Sequence, residues 1–347
     1  MANCIPLSRR QFLAGALVTS AGVTCHAAPD ASEPRRKLAA DRERALIAIT
    51  LDLEMSRNFP KWEDTHWDYE KGNLNEETKK YAVEACRRVK AHGGVLHCFA
   101  VGRVLEQANV DWLKEIVHAG HPVGNHTYDH VNVLATRPED VQFRFQRAPW
   151  LMRGQTPREV IADNIRLATA ALKTRIGIEP AGFRTPGGFH DGLAKRPDVQ
   201  QMLQDLGYAW VSSKYPAHAM DKPGSEPSRA TFESILKAQQ AAQPFIYRRG
   251  LVEVPMSPIS DIGAFRGGRW RLEHFLKALR LAVDWVIERR AAFDFLGHPS
   301  CLYVVDPEFR AIELICDLAR KAGDHAAIVD LGTIAERAKL RDMKPSD

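Results

Sequence analysis

Between residues 45 and 340, short apolar runs alternate with longer stretches of helical spacing, and this alternation constrains the fold more than any other feature. Apolar runs at 45–51, 95–101, 208–212, 252–254, 293–296 and 327–331 are too short for helices and read as strands buried on both faces. Helical spacing is read at 73–91, 110–119, 158–174, 199–206, 272–289, 307–321 and 333–340, with Gly93-Gly94 and Gly120 as stops. Strands followed in turn by helices predict a parallel α/β arrangement, either a barrel or a doubly wound sheet. With 347 residues and 45% hydrophobic content, one large domain is expected over 45–340, ending in a short tail at 341–347. The net charge of +5 comes without a basic stripe carrying interleaved aromatics, which argues against a nucleic-acid partner.

The N-terminus is read separately. Ser8-Arg9-Arg10-Gln11-Phe12-Leu13 precedes an apolar, small-residue run up to Val23. Paired arginines before a short hydrophobic region predict a twin-arginine signal at 1–27, cleaved near Ala27, and hence export through the twin-arginine machinery to the periplasm or beyond. The run is shorter than the roughly 20 apolar residues a bilayer span needs, so no integral membrane segment is expected after cleavage. The polar stretch at 28–44 reads as a linker. Of the remaining cysteines, Cys86, Cys98, Cys301 and Cys316 show no CxxC spacing, and free thiols are the default expectation.

In parallel α/β folds reactive groups collect at the carboxyl ends of strands. Polar residues follow apolar runs at Asp52-Leu53-Glu54, at His126-Thr127-Tyr128-Asp129-His130 and at Leu296-Gly297-His298. His126 and His130, four residues apart, share a face if they lie on a helical turn, and both imidazoles then reach one metal. Asp52 and Glu54, two apart on a strand, point to the same side. Either carboxylate is a third ligand of the right type. Glu54 with the two histidines gives a two-His, one-carboxylate site with positions open to water, and Asp52 is then free to take a proton.

These segments together resemble the polysaccharide deacetylases with a NodB-homology domain (carbohydrate esterase family 4). Thr50-Leu51-Asp52-Leu53-Glu54 resembles the first family motif, and His126-Thr127-Tyr128-Asp129-His130 matches the His-Ser/Thr-x-x-His metal motif. Phe183-Arg184-Thr185-Pro186-Gly187 looks like the Arg-x-Pro motif, and Leu296-Gly297-His298 sits where the family places its catalytic histidine. The resemblance implies a distorted (β/α) barrel of about seven parallel strands. It also implies an enzyme that hydrolyses carbon–nitrogen bonds in linear amides by removing N-acetyl groups from a peptidoglycan- or chitin-like glycan. Carried over by position, it implies metal ligation by Glu54, His126 and His130. It makes Asp52 the general base, oriented by Arg184, His298 the general acid, and the Gly187 N–H an oxyanion donor. The implied cofactor is a divalent metal: zinc suits the histidine-rich donor set, and cobalt or nickel also fit.

The chain departs from the family pattern twice. Leu53 stands where the family usually carries its ligand aspartate, so ligation is assigned to Glu54 in an acid-x-acid spacing. Near residues 210–214 there is no aspartate to support His298, and Asp261 is the candidate replacement. These departures keep two other readings open: a secreted carbohydrate-binding protein on an inactive barrel, and a hydrolase of a small non-sugar amide. Aromatics at Phe59, Trp62, Trp67, Tyr69, Phe143, Phe145, Trp150, Phe265 and Trp270 either face sugars or pack their own loops.

Overall fold

The computed structural model describes residues 43–342, so the twin-arginine segment, most of the 28–44 linker and the end of the tail lie outside the described residues. The strands are β1 (Ala45–Leu53), β2 (Leu96–Ala100), β3 (Val123–Asn125), β4 (Gly182–Phe189), β5 (Trp210–Lys214), β6 (Phe245–Ile246), β7 (Val252–Glu253), β8 (Ala292–Gly297) and β9 (Ala326–Ile328). They form one sheet in the order β6-β7-β5-β4-β3-β2-β1-β8, with β9 also on β1. Every pairing is parallel except that of β6 with β7. Past β7, the Ser257 N–H donates to the Asp294 carbonyl of β8 at 2.8 Å, which curls the sheet into a distorted barrel.

Among the described residues eight of the nine strands pair in parallel, close to the seven or so expected, and β6 is antiparallel. Two strands are too short for a periodic signal, β3 with three residues and β6 with two. The run at 327–331 divides, with β9 ending at Ile328 and Leu331 opening the last helix, Leu331–Asp342. Three helices had no counterpart in the sequence reading, the shortest being Phe143–Arg147. Arg229–Ala241 is capped by the Ser228 side chain on Thr231 N, and Pro299–Val305 begins directly after His298. Helix Pro157–Ile176 starts one residue earlier than its spacing suggested, because Thr156 and Glu159 form a reciprocal capping box ahead of Pro157. Among the described residues the four cysteines, Cys86, Cys98, Cys301 and Cys316, are free and buried.

Strand alternation decides what faces the site. Ala45, Ile47, Ile49, Leu51 and Leu53 of β1 belong to the large apolar cluster shared with the covering helices. Leu46 and Ala48 belong to a second cluster inside the barrel, with Phe99, Trp210, Val252 and Val254. Two-residue periodicity then carries Thr50 and Asp52 up the inner face toward the barrel mouth. Leu53 falls on the helix side and is fully buried, so it takes no part in the centre. Leu331, Ile334 and Ala335 of the last helix fill the opposite end of the barrel.

Gly182 makes the interior fit, because a Cβ there would lie 1.9 Å from the Trp210 indole. Gly182→Ala is expected to cost about 1–3 kcal/mol through overpacking, read as a lower urea midpoint at unchanged slope. An unaltered midpoint would mean the interior is looser than this contact indicates.

Candidate active site

The first segment of the site is the end of β1. Asp52 is the last inward-facing residue of the strand, and a tight turn in which Glu54 N–H donates to the Asp52 carbonyl at 3.0 Å brings the Glu54 side chain round beside it. Both carboxylates are buried.

The second segment follows β3, and here one expectation is corrected. His126 and His130 do not lie on a helical turn; residues 126–130 form an irregular loop in which Thr127 and His130 take left-handed conformations (φ 57° and 58°). Side chains brace it. Asn125 Oδ1 accepts from Thr127 N at 2.7 Å, and Thr127 Oγ1 accepts from Val131 N at 2.9 Å. Asn125 Nδ2 is anchored on the Tyr208 hydroxyl and the Ile165 carbonyl. Non-glycine residues adopt left-handed backbone only where the surroundings impose it, and such positions gather at functional sites. The imidazoles still converge, with centroids 5.1 Å apart.

Ligand atoms of Glu54, His126 and His130 all lie within 4.8 Å of one another. Glu54 Oε2 is 2.7 Å from His130 Nε2 and 3.9 Å from His126 Nε2, yet it has no hydrogen bond of good geometry. A buried carboxylate oxygen without a donor is costly, and a cation among these atoms removes the cost. His126 Nδ1 lies 3.0 Å from the Arg184 carbonyl; with the proton on Nδ1 it donates there and leaves Nε2 as the free donor atom. Burial lowers the His126 pKa to about 4, so the ring is neutral at physiological pH, as a ligand must be. Burial alone would raise the Glu54 pKa, but the nearby charges of His130, Lys71 and His298 outweigh it and hold the carboxyl well below its ordinary value. The donor set therefore fits a divalent cation.

Lys71 was not singled out from the sequence. Its ammonium, nearly buried, pairs with Glu54 Oε1 at 2.9 Å. It lies in the long insertion after β1, where neither spacing nor motif marks it.

Arg184 behaves differently from expectation in one respect. Its guanidinium is fully buried and 3.6 Å from Asp52 Oδ1, but its close acidic partner is Asp294, at 2.7 Å. Thr50 Oγ1 accepts from Arg184 at 3.0 Å and donates to Asp294 at 2.8 Å. Burial pushes the Asp294 pKa up to about 7, against the lowering effect of Arg184. Arg184 thus stands between two carboxylates, stacked 4.6 Å over the Phe99 ring. Beyond it the strand leaves the ladder: Arg184 pairs with Ser212 and Phe189 with Lys214, so residues 185–188 bulge outward. Gly187, at φ 74°, lies in that bulge on the wall of the cleft.

His298 closes the site at the end of β8. Asp261 is its partner, as the sequence offered: Nδ1 meets Asp261 Oδ1 at 2.8 Å, and the His298 N–H donates to Oδ2 at 2.7 Å. Asp261 is fully buried at the start of a π-helical segment, Ile262–Gly267. Burial would lower the His298 pKa, but the Asp261 carboxylate more than reverses this and raises it. His298 Nε2 remains free to face the cleft, 3.8 Å from Glu54 Oε1. Asp52, Glu54, His126, His130, Gly187 and His298 all line one cleft of about 430 Å³.

Comparison with known proteins follows from this arrangement. Residues 67–211 match the family model for polysaccharide deacetylases. Over this stretch the chain resembles the polysaccharide deacetylases. The matched stretch contains His126, His130 and Arg184, whereas Asp52, Glu54, Asp261 and His298 lie outside it. The chain is similar to a Mycobacterium smegmatis protein described as a polysaccharide deacetylase (TM-score 0.56, 16% identity, covering 88% of this chain and 93% of that one). It is similar to another so described from Pseudomonas aeruginosa PAO1 (TM-score 0.56, 13% identity, covering 87% and 93%). The Puue allantoinase has a TM-score of 0.58 at 12% identity, covering 87% and 92%. At such identities the likeness is one of fold. No match was found among curated protein sequences.

The aromatic loops divide. Phe59, Phe145, Phe265 and Trp270 are buried and pack their loops, whereas Trp62, Phe143 and Trp150 are exposed. Trp67 and Tyr69 are partly exposed. Phe143 alone of the three exposed rings borders a neighbouring cleft of about 800 Å³.

Proposed function

We propose that the chain is an exported, metal-dependent hydrolase that removes N-acetyl groups from a carbohydrate polymer or oligosaccharide. One observation carries this reading: an under-bonded buried carboxylate and two imidazoles converge, with a second carboxylate and a carboxylate-supported histidine on the same cleft. Glu54, His126 and His130 would hold a divalent cation, zinc being the best match and cobalt or nickel also fitting. Once bound, such an ion supplies electrophilic polarisation of the scissile carbonyl and acidification of the attacking water.

The chain's own residues do the rest. Asp52, whose Oδ1 is buried without a hydrogen-bond donor, accepts the proton of the attacking water. Arg184 stabilises the ionised Asp52 from 3.6 Å. The Gly187 N–H, freed from the ladder by the bulge, is the donor for the developing oxyanion. His298 gives its proton to the departing amine, while Asp261 orients the ring and favours its charged form.

The experiment is acetate release from N-acetylated chitooligosaccharides and peptidoglycan fragments, paired with metal analysis of the purified protein. Small linear and cyclic amides belong in the same panel, since the fold is shared with an allantoinase. Release from glycans that stops on chelation and returns with zinc is the expected result. Glycan binding without release across zinc, cobalt and nickel would favour the inactive-barrel reading. Export rests on the N-terminal paired arginines, and no described helix is long and apolar enough to cross a membrane.

The pH profile tests the acid. A raised pKa keeps His298 protonated below that value, and activity falls as pH rises through it. Asp261→Asn removes the charge that raises it, so the alkaline limb of kcat/KM is expected to move to lower pH. A limb that stays in place would remove His298 from the acid role.

A further inference from the structure

The cleft that holds the candidate centre continues into the larger one beside it, and the two share Lys71, His130, Gly187 and Arg266 as walls. The charged groups on these walls have partners within the protein. Arg57 pairs with Asp68 at 3.1 Å, Lys71 with Glu54 at 2.9 Å, and Asp140 with Arg137 at 2.8 Å. Arg266 is the exception: half-buried where the clefts meet, it forms no hydrogen bond, ion pair or ring contact among the described residues.

Its backbone is not free to swing away. Arg266 lies in the π-helical segment Ile262–Gly267, which is pinned by Ala264 N to the Ser260 carbonyl (2.9 Å), Gly268 N to the Gly263 carbonyl (2.9 Å) and Trp270 N to the Ala264 carbonyl (3.0 Å). Phe265 beside it is buried. The same segment begins at Asp261, which holds His298, so the position of Arg266 is tied to that of the general acid. π-Helical turns of this kind are rare and concentrate at functional sites. A half-buried guanidinium presents a planar fork of donors that matches carboxylate and phosphate oxygens.

We infer that Arg266 binds an oxyanion, a carboxylate or a phosphate, carried by the substrate next to the scissile amide, so that the site prefers acidic N-acetylated sugars to neutral ones. The inference takes the substrate class from the proposed hydrolase reading and adds the charge requirement.

Binding to the zinc-loaded full chain, measured by calorimetry, tests it with three probes: N-acetylglucosamine, N-acetylmuramic acid with its lactyl carboxylate, and N-acetylglucosamine 6-phosphate. At least one acidic sugar is expected to bind about tenfold or more tighter than the neutral one, the scale of a charge-assisted hydrogen-bond pair. Which acid gains distinguishes a carboxylate from a phosphate partner. Arg266→Gln is expected to erase the preference, Arg266→Lys to keep part of it, and Arg269→Gln, which alters an exposed arginine stacked on Trp62, to leave it intact. Equal affinity for all three sugars, no binding of either acid, or a preference that survives Arg266→Gln overturns the inference. Because the readout is binding, an acid preference without acetate release sinks only the hydrolase reading, and acetate release without an acid preference sinks only this one.

Discussion

His126→Ala is expected to abolish metal retention and to lower kcat/KM for acetate release by about 10³-fold or more, the scale of losing electrophilic and nucleophile-generating assistance together. The substitution removes the buried ring whose Nε2 faces the centre and whose Nδ1 is tied to the Arg184 carbonyl. It also strips that carbonyl of a donor, at a cost of about 1–3 kcal/mol, so folding has to be monitored in parallel. Metal content by elemental analysis, turnover and the urea midpoint form one data set. A folded variant that retains full turnover after exhaustive chelation would defeat the metal-dependent reading outright.

Asp52→Asn is the complementary case. It keeps the shape of the side chain and leaves Glu54, His126 and His130 in place, so stoichiometric metal is expected with activity reduced by about 10²–10⁴-fold, the range associated with loss of a positioned general base. Arg184 remains held by Asp294 at 2.7 Å, so little structural damage is expected. The two variants make opposite forecasts for metal content and the same forecast for turnover. If Asp52→Asn loses the metal as well, then Asp52 is itself a ligand, which its 3.8 Å approach to His126 Nε2 makes geometrically reasonable. If it keeps both metal and turnover, the base lies elsewhere.

Parts of this centre were legible before any coordinates. The apolar run ending in Asp52-Leu53-Glu54 places two acids at a strand end, and His126 and His130 carry a donor type and spacing that few other roles require. The histidine pair converged despite the wrong local geometry: a helical turn was expected and a braced loop with two left-handed residues was found. The outcome survived because four-residue separation allows convergence in more than one backbone path, whereas the choice of path depends on how Asn125 is anchored by Tyr208 and Ile165, which are remote in sequence.

Other parts were invisible for a definite reason. Lys71 and Arg266 lie in stretches where a charged residue has an ordinary solvated reading, Asp294 sits in an apolar run that does not say what it answers, and each acquires its role from its place in the tertiary structure. Lys71 meets Glu54 across the insertion, Asp294 meets Arg184 across the barrel, and Arg266 comes to the wall where two clefts meet. Asp261 could be named only as a substitute for a missing aspartate, and the contact of 2.8 Å to His298 is what selects it.

The sequence by itself determined that this chain folds as alternating strands and helices, that acids and histidines stand at strand ends, and that Leu53 cannot be a ligand. Those properties follow from periodicity and side-chain chemistry, which are local. The tertiary structure alone decided which face of β1 looks into the barrel, which acid answers Arg184, which aspartate supports His298, and which cation on the described cleft walls is left without a partner. Each depends on distances between segments separated by tens to hundreds of residues, and burial gives those contacts their force by removing the water that would otherwise screen them.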